Sequence, residues 1–261
     1  IAMLERQKHS RKSSLYARQL NVLSSSSPTT TSSANTASSS SSSSSSLSKQ
    51  SNQLNKALFA FELMLPEPFI DRPTDLFESY IAVALPSSGK RCLVYSTHQG
   101  QTFAVSLCGE FLFSKPFFYS LLPSGSPRSV GSVCVLDCIY TQHQDVFYIL
   151  DCMVWNSFDF TSCSSEFRQF WKVSKIQQEF GAALNNVDSL EDNNYKAFRV
   201  IEPFHCTKKG LAAFVQQRQA ITQSNNSSVL ILYHKACLYQ PCGQQKKTSP
   251  LMNIFTIQQK K

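Results

Sequence analysis

At 261 residues, 42% hydrophobic and 11% aromatic, the chain holds material for one sizeable core. Its formal charge of +8 invites a nucleic-acid reading, but residues 57–241 carry 14 basic and 16 acidic residues, a net of −2. Broad phosphate neutralisation by that body is thereby excluded, and any RNA it binds must be gripped at a small, chemically specific place.

The cations collect at the two ends. Residues 1–23 carry Arg6, Lys8, Arg11, Lys12 and Arg18 against Glu5, and the tail supplies Lys246, Lys247, Lys260 and Lys261. In the first segment they alternate with Met3, Leu4, Leu15, Tyr16 and Leu20, without Gly or Pro. That pattern fits an amphipathic basic helix that folds on an acidic partner, or a disordered basic arm. Ser24 to Lys56 collapse to Ser, Thr, Asn and Gln, with unbroken serine from Ser38 to Ser46. Such a segment has nothing to bury and reads as a flexible linker with a reach of roughly 30 Å. The expected organisation is therefore a basic segment over 1–23, a linker over 24–56 and a folded domain over 57–261. Ile1 at the start and the abrupt ending at Gln258 to Lys261 read as cut ends.

After Ala57 the pattern changes to short β-rich runs: Tyr80–Leu85, Arg91–Ser96, Thr102–Leu107, Val133–Tyr140 and Val146–Met153. Pro86-Ser87-Ser88-Gly89 is expected to join the first two as a hairpin. The last two, separated by Thr141 to Asp145, are expected to form an antiparallel hairpin of central, buried strands. Ser164 or Ser165 is placed to cap a helix over Glu166–Gln178 and Thr207 one over Lys208–Gln219, after which Val229–His234 returns to strand. The fold class is α+β with mostly antiparallel sheet, and no internal repeat is apparent.

Several chemistries find no local support. None of the eight glycines stands in a GxGxxG or GxxxxGK arrangement, and neither a GxSxG elbow nor an HExxH helix occurs. His234, Cys237 and Cys242, completed by His205-Cys206, could ligate zinc, or the cysteines are ordinary thiols near a turn. Asp137 and Asp151 could be paired carboxylates for metal or acid–base work, or structural acids bonded within the fold. Neither metal nor cofactor is expected. Nine cysteines, four of them in apolar runs (Cys92, Cys134, Cys138, Cys152), read as reduced and buried. No run of about 18 apolar residues occurs, so a soluble intracellular chain without membrane attachment is expected.

Seven blocks stand in fixed order: LMLPEPFIDRPTDL (Leu63–Leu76), GKR (Gly89–Arg91), SLLPSG (Ser120–Gly125), VLDCIY (Val135–Tyr140), FYILDCMVW (Phe147–Trp155), the run from Glu166 through Trp171 to Lys175, and LYHK (Leu232–Lys235). Together they make the chain resemble the snurportin family, adapters that carry capped small nuclear ribonucleoproteins into the nucleus. Met3 to Leu20 resembles the end of that family's importin-β-binding helix, without its upstream arginine cluster.

The resemblance implies a fold similar to the nucleotide-binding domain of messenger-RNA guanylyltransferases, whose KxDG lysine this chain lacks. Binding without catalysis follows. It implies as partners the trimethylguanosine cap of small nuclear RNA in U snRNPs and importin-β, with shuttling between cytoplasm and nucleus. The alternative is a scaffold that has lost its cap site and binds ribonucleoprotein partners. A trimethylated guanine is flat and cationic and has lost its exocyclic donors, so it favours an aromatic face. By resemblance Lys90, Arg91, Ser174 and Lys175 stand where the family places cap contacts; otherwise the first two are a solvated pair and the last two a helix end. The family's two pocket tryptophans fall at Pro68 and Ile254, its pocket cysteine at Leu85 and a guanine-approaching lysine near Leu107. Phe255, one residue past Ile254, is the expected substitute stacking platform.

Overall fold

A computed structural model describes residues 63–68, 73–86, 88–119, 121–178, 196–221, 228–240 and 252–257. The expected basic segment and linker lie outside these residues. Eleven strands are described: β1 (Glu67–Pro68), β2 (Tyr80–Ala84), β3 (Lys90–Ser96), β4 (Thr102–Ser106), β5 (Cys134–Thr141), β6 (Val146–Trp155), β7 (Phe158–Asp159), β8 (Ala197–Val200), β9 (Pro203–His205), β10 (Ser228–His234) and β11 (Met252–Ile257). The helices are α1 (Leu76–Ser79), α2 (Ser165–Trp171), which runs into a π-helical turn (Lys172–Gln177), and α3 (Lys208–Ile221).

The strands form two sheets, ordered β1-β11-β10-β2-β9 and β4-β3-β5-β6-β7, with β8 added in parallel to β6. All other pairs but β1–β11 are antiparallel, in agreement with the α+β, mostly antiparallel expectation. The expected hairpin through Pro86 to Gly89 does not form. β2 pairs with β10 and β9 and β3 with β4 and β5, so this connection turns the chain from one sheet to the other. Periodicity marks a strand but not its partner, and a short turn-rich link serves a corner as well as a hairpin.

β5 and β6 hold the centre of the second sheet. Leu93, Val135 and Leu150 on one face pack against Val83, Ile231 and Tyr233 of the first sheet. Cys92, Leu136, Cys138 and Ile149 on the other pack with Phe117, Ile176 and Phe198. Burial on both faces explains why these strands read as nearly continuous apolar runs. The eight described cysteines are free thiols.

The helix starts behave as their caps predict. Ser164 Oγ accepts from Phe167 N at 3.3 Å and Thr207 Oγ1 from Gly210 N at 2.9 Å. Ser165, fully buried, donates to the carbonyls of His234 and Lys235, which ties α2 to the end of β10. The second half of the expected Glu166–Gln178 helix widens to π geometry, and Ser174 Oγ donates there to the Phe170 carbonyl at 2.8 Å.

Candidate nucleic-acid interface

Asp137 and Asp151 are register partners in β5 and β6, both wholly buried. Asp137 accepts from Arg91 Nε at 3.0 Å, from Arg91 Nη2 at 2.6 Å and from the Tyr239 hydroxyl at 2.9 Å. Asp151 accepts from Arg168 Nε at 3.1 Å and Nη2 at 2.9 Å, and from Cys152 N at 2.8 Å. Burial opposes the charge on both guanidiniums, yet the carboxylate beside each holds its pKa above the ordinary arginine value. The structural reading of these acids is the one the geometry supports. Their lone pairs are committed to guanidiniums inside the core, as buried charges must be.

A site open to solvent lies at the head of β3. Gly89 enters it at φ +152°, and a Cβ there would come within 2.5 Å of Ile139 Cγ2, so the corner requires glycine. Next to it the exposed Lys90 stands in register with Tyr140 of β5. A cleft of about 930 Å³ opens between the β5–β6 turn and the segment after β4, lined by Lys90, Glu110, Phe111, Phe113, Tyr140 and His143 among others.

The aromatic wall is braced from behind. Phe113 meets Tyr140 edge-on at 5.2 Å and Phe117 at 5.6 Å. The Lys196 ammonium lies 5.0 Å from the Phe113 centroid and bonds Asp145 Oδ2 at 2.7 Å. Tyr140 donates to Asp145 Oδ1 at 2.6 Å, and burial, helped by that bond to the carboxylate, pushes the phenol up to about 12. Although burial works the other way, hydrogen bonds from Lys196 and Tyr140 hold the Asp145 carboxyl below its ordinary range. The cleft thus combines half-buried aromatic faces, suited to a flat base, with one ammonium and one carboxylate, Lys90 and Glu110.

Of the residues singled out in the sequence, only Lys90 lines this cleft. Arg91, one residue on, faces the opposite side of β3, with two guanidinium nitrogens on Asp137 and a side chain 12% exposed. Ser174 and the exposed Lys175 sit on the π-helical turn and line neither described cleft. Position 255 is paired with Leu230, itself paired with Ala84, whereas 254 is paired with Ile231 and Pro68. Positions 68 and 254, where the resemblance to the family puts its two tryptophans, are direct partners on adjacent strands.

Sequence reasoning missed Phe111, Phe113 and Tyr140. The first two form an aromatic pair outside any strand run, directly after Gly109-Glu110, which is the signal that could have found them. Among the described residues no three His, Cys, Asp or Glu side chains converge as metal ligands, and Cys242 of the suggested zinc set lies outside them.

Two facing, mostly antiparallel sheets carry at one rim an aromatic cleft whose charged lining is one lysine and one glutamate, Lys90 and Glu110. The model of the family described as Snurportin1, m3G cap-binding domain, matches residues 62–249, more than half of the chain. The chain belongs to that family. Among solved structures it is similar to a mycobacterial DNA ligase D complexed with ATP and MES, at 15% identity and TM-score 0.43, covering 74% of this chain and 59% of that one. It is also similar to the ligase domain from M. tuberculosis LigD, at 15% identity, TM-score 0.44 and the same coverages. A third, Pmar-Lig_PreS3, matches at 13% identity and TM-score 0.45, over 80% of this chain and 50% of that one. The chain spans between half and three fifths of the length of these ligases.

Proposed function

We propose that the chain binds the trimethylguanosine cap of a small nuclear RNA, performs no catalysis, and serves as a nuclear import adapter for U snRNPs. The family match over 62–249 carries this reading. In it the cleft at the head of β3 takes the cap: the methylated purine lies against the wall of Phe111, Phe113 and Tyr140, and Lys90 faces the triphosphate bridge. The body's net charge of −2 fits a grip on one modified base rather than on a length of backbone. The basic 1–23 segment, joined by the serine linker, resembles an importin-β-binding helix and is the proposed link to that receptor and to shuttling between cytoplasm and nucleus.

Titration of a trimethylguanosine cap dinucleotide against its monomethyl counterpart tests the proposal. Tighter binding of the trimethylated form, weakened by Lys90→Ala and Phe113→Ala, is the expected result. Equal or absent binding of the two by the intact chain would remove cap selectivity.

The scaffold reading has one observation in its favour. Phe158, Phe167 and Phe170 are 69%, 44% and 68% exposed on β7 and α2, with Phe167 stacked on Phe160, which suits a protein partner. Retention of assembled particles in the presence of excess free cap would decide for it.

A further inference from the structure

The three exposed phenylalanines belong to one continuous aromatic surface. Phe158 of β7 is the register partner of Trp155, whose ring meets Trp171 edge-on at 5.7 Å. Trp171 lies 4.6 Å from Phe160, and Phe160 stacks on Phe167 at 6.3 Å. Phe170, beside Trp171 in α2, completes the surface. The exposed parts of Phe158, Phe167 and Phe170 amount to nearly two whole side chains, roughly 300–450 Å² of apolar area. That is the size of the largest patch on an ordinary monomer, and such patches are often functional.

The residues at its border narrow the occupant. Glu166 stands at the N-terminal end of the helical stretch and Lys175 near its C-terminal end, both exposed and neither ion-paired to another described residue. A nucleic-acid strand needs a cationic groove beside its stacking platforms, and one lysine offset by one glutamate does not supply it. A second copy of the same helix, laid antiparallel, suits both ends, because the acid of one copy comes beside the base of the other.

The shapes agree with the charges. The outward face of the stretch carries Phe167, Phe170, Trp171 and Ser174, spaced i, i+3, i+4, i+7. With the twofold axis at Phe170 and Trp171, the bulky Phe167 comes over the partner's Ser174. The Ser174 hydroxyl donates to the Phe170 carbonyl of its own helix, so it can be covered without losing its hydrogen bond.

We propose that the chain forms a twofold-symmetric dimer through this face, α2 and its π-helical turn packed antiparallel on the same elements of a second copy, with Phe158 of β7 at the flank. A standard interface takes about 800 Å² from each partner, and the apolar patch supplies about half of that, so the dimer is weak and concentration-dependent. Trp155 ends β6 and the β5–β6 turn precedes it, about 30 Å apart along the strand. The cleft beside that turn therefore stays open in the dimer, and the inference stands independently of what the cleft binds.

Sedimentation velocity of the intact chain across the micromolar range tests the proposal. A reversible monomer–dimer equilibrium is expected, and Phe170→Ser should weaken it at least about tenfold, as loss of a central aromatic anchor does. Glu166→Lys or Lys175→Glu alone sets like charges together at both ends and should weaken it about threefold or more. An equimolar mixture of those two variants, in which every facing pair has opposite sign, should recover wild-type association. All three side chains are exposed, and unchanged circular dichroism shows that the variants are folded. A chain that stays monomeric, association that Phe170→Ser leaves unchanged, or a mixture that associates no better than either variant alone overturns the proposal. Retention of ribonucleoprotein particles by a strictly monomeric chain, lost on Phe170→Ser, overturns it in favour of the scaffold reading.

Discussion

Asp137→Asn is the perturbation with the largest expected consequence among the inter-sheet charges. The carboxylate is wholly buried and accepts two guanidinium N–H bonds and the Tyr239 hydroxyl. An amide of the same shape offers one oxygen where two acceptors are needed, and turns N–H donors toward a guanidinium that is itself only 12% exposed. Removing one partner of a buried pair costs about 3–5 kcal/mol, because the surviving charge stays desolvated. Set against a typical domain stability of about 5–15 kcal/mol, that is a large share of the total. With a urea dependence of about 2 kcal/mol/M, the unfolding midpoint should fall by about 1.5–2.5 M. Arg91→Met combined with Asp137→Leu should lose far less than the two single changes together, since no charge is then left alone. A midpoint shift below about 0.5 M for Asp137→Asn, or additivity of the two singles within about 0.5 kcal/mol, would refute the account.

Two further outcomes can be measured independently. Lys172 is fully buried with Nζ on the Leu150 carbonyl at 3.0 Å, and burial lowers its pKa from an ordinary 10.5 to about 8 against the pull of Asp151. Between those values the unfolded chain holds a proton that the folded chain has released, so stability should rise with pH there, by up to about 3 kcal/mol relative to Lys172→Met. Urea titrations at pH 7 to 9.5 that run parallel for the two proteins would exclude this. In the cleft at the head of β3, Phe113→Ala should weaken trimethylguanosine cap binding by a factor of about 5–100, the loss of one stacking face, whereas Phe255→Ala should change affinity by less than about twofold, because position 255 is paired with Leu230 in the first sheet. The reverse order of effects in a cap titration would mean that the cap does not lie in that cleft.

Elements with a strong local signal were legible. β5 and β6 combine apolar content with turn residues between them, and Ser164 and Thr207 stand where caps belong, so the strand pair and both helix starts follow from neighbouring residues alone. The order of strands within the sheets was not. The link Pro86 to Gly89 looks like a hairpin because sequence shows a turn but not that Ala84 meets Leu230 and Lys90 meets Tyr140, partners 146 and 50 positions away. For the same reason Lys90 and Arg91 read as one basic pair. Alternation along β3 separates them, one to the solvent-side cleft and one to Asp137, and only the position of the second sheet decides which is which.

Alternation also separates the buried charges from the aromatic cleft: Arg91 meets Asp137, while the exposed Lys90 and its partner Tyr140 line the cleft. An exposed side chain there can be exchanged without stranding a partner in the core. The charged network deeper in, by contrast, cannot lose one member without stranding another. The buried ion pairs and the open cleft thus lie on different rows of the same strands. The aromatic cleft around Phe113 and Tyr140, at the rim of the second sheet, can therefore change without loss of the buried ion pairs.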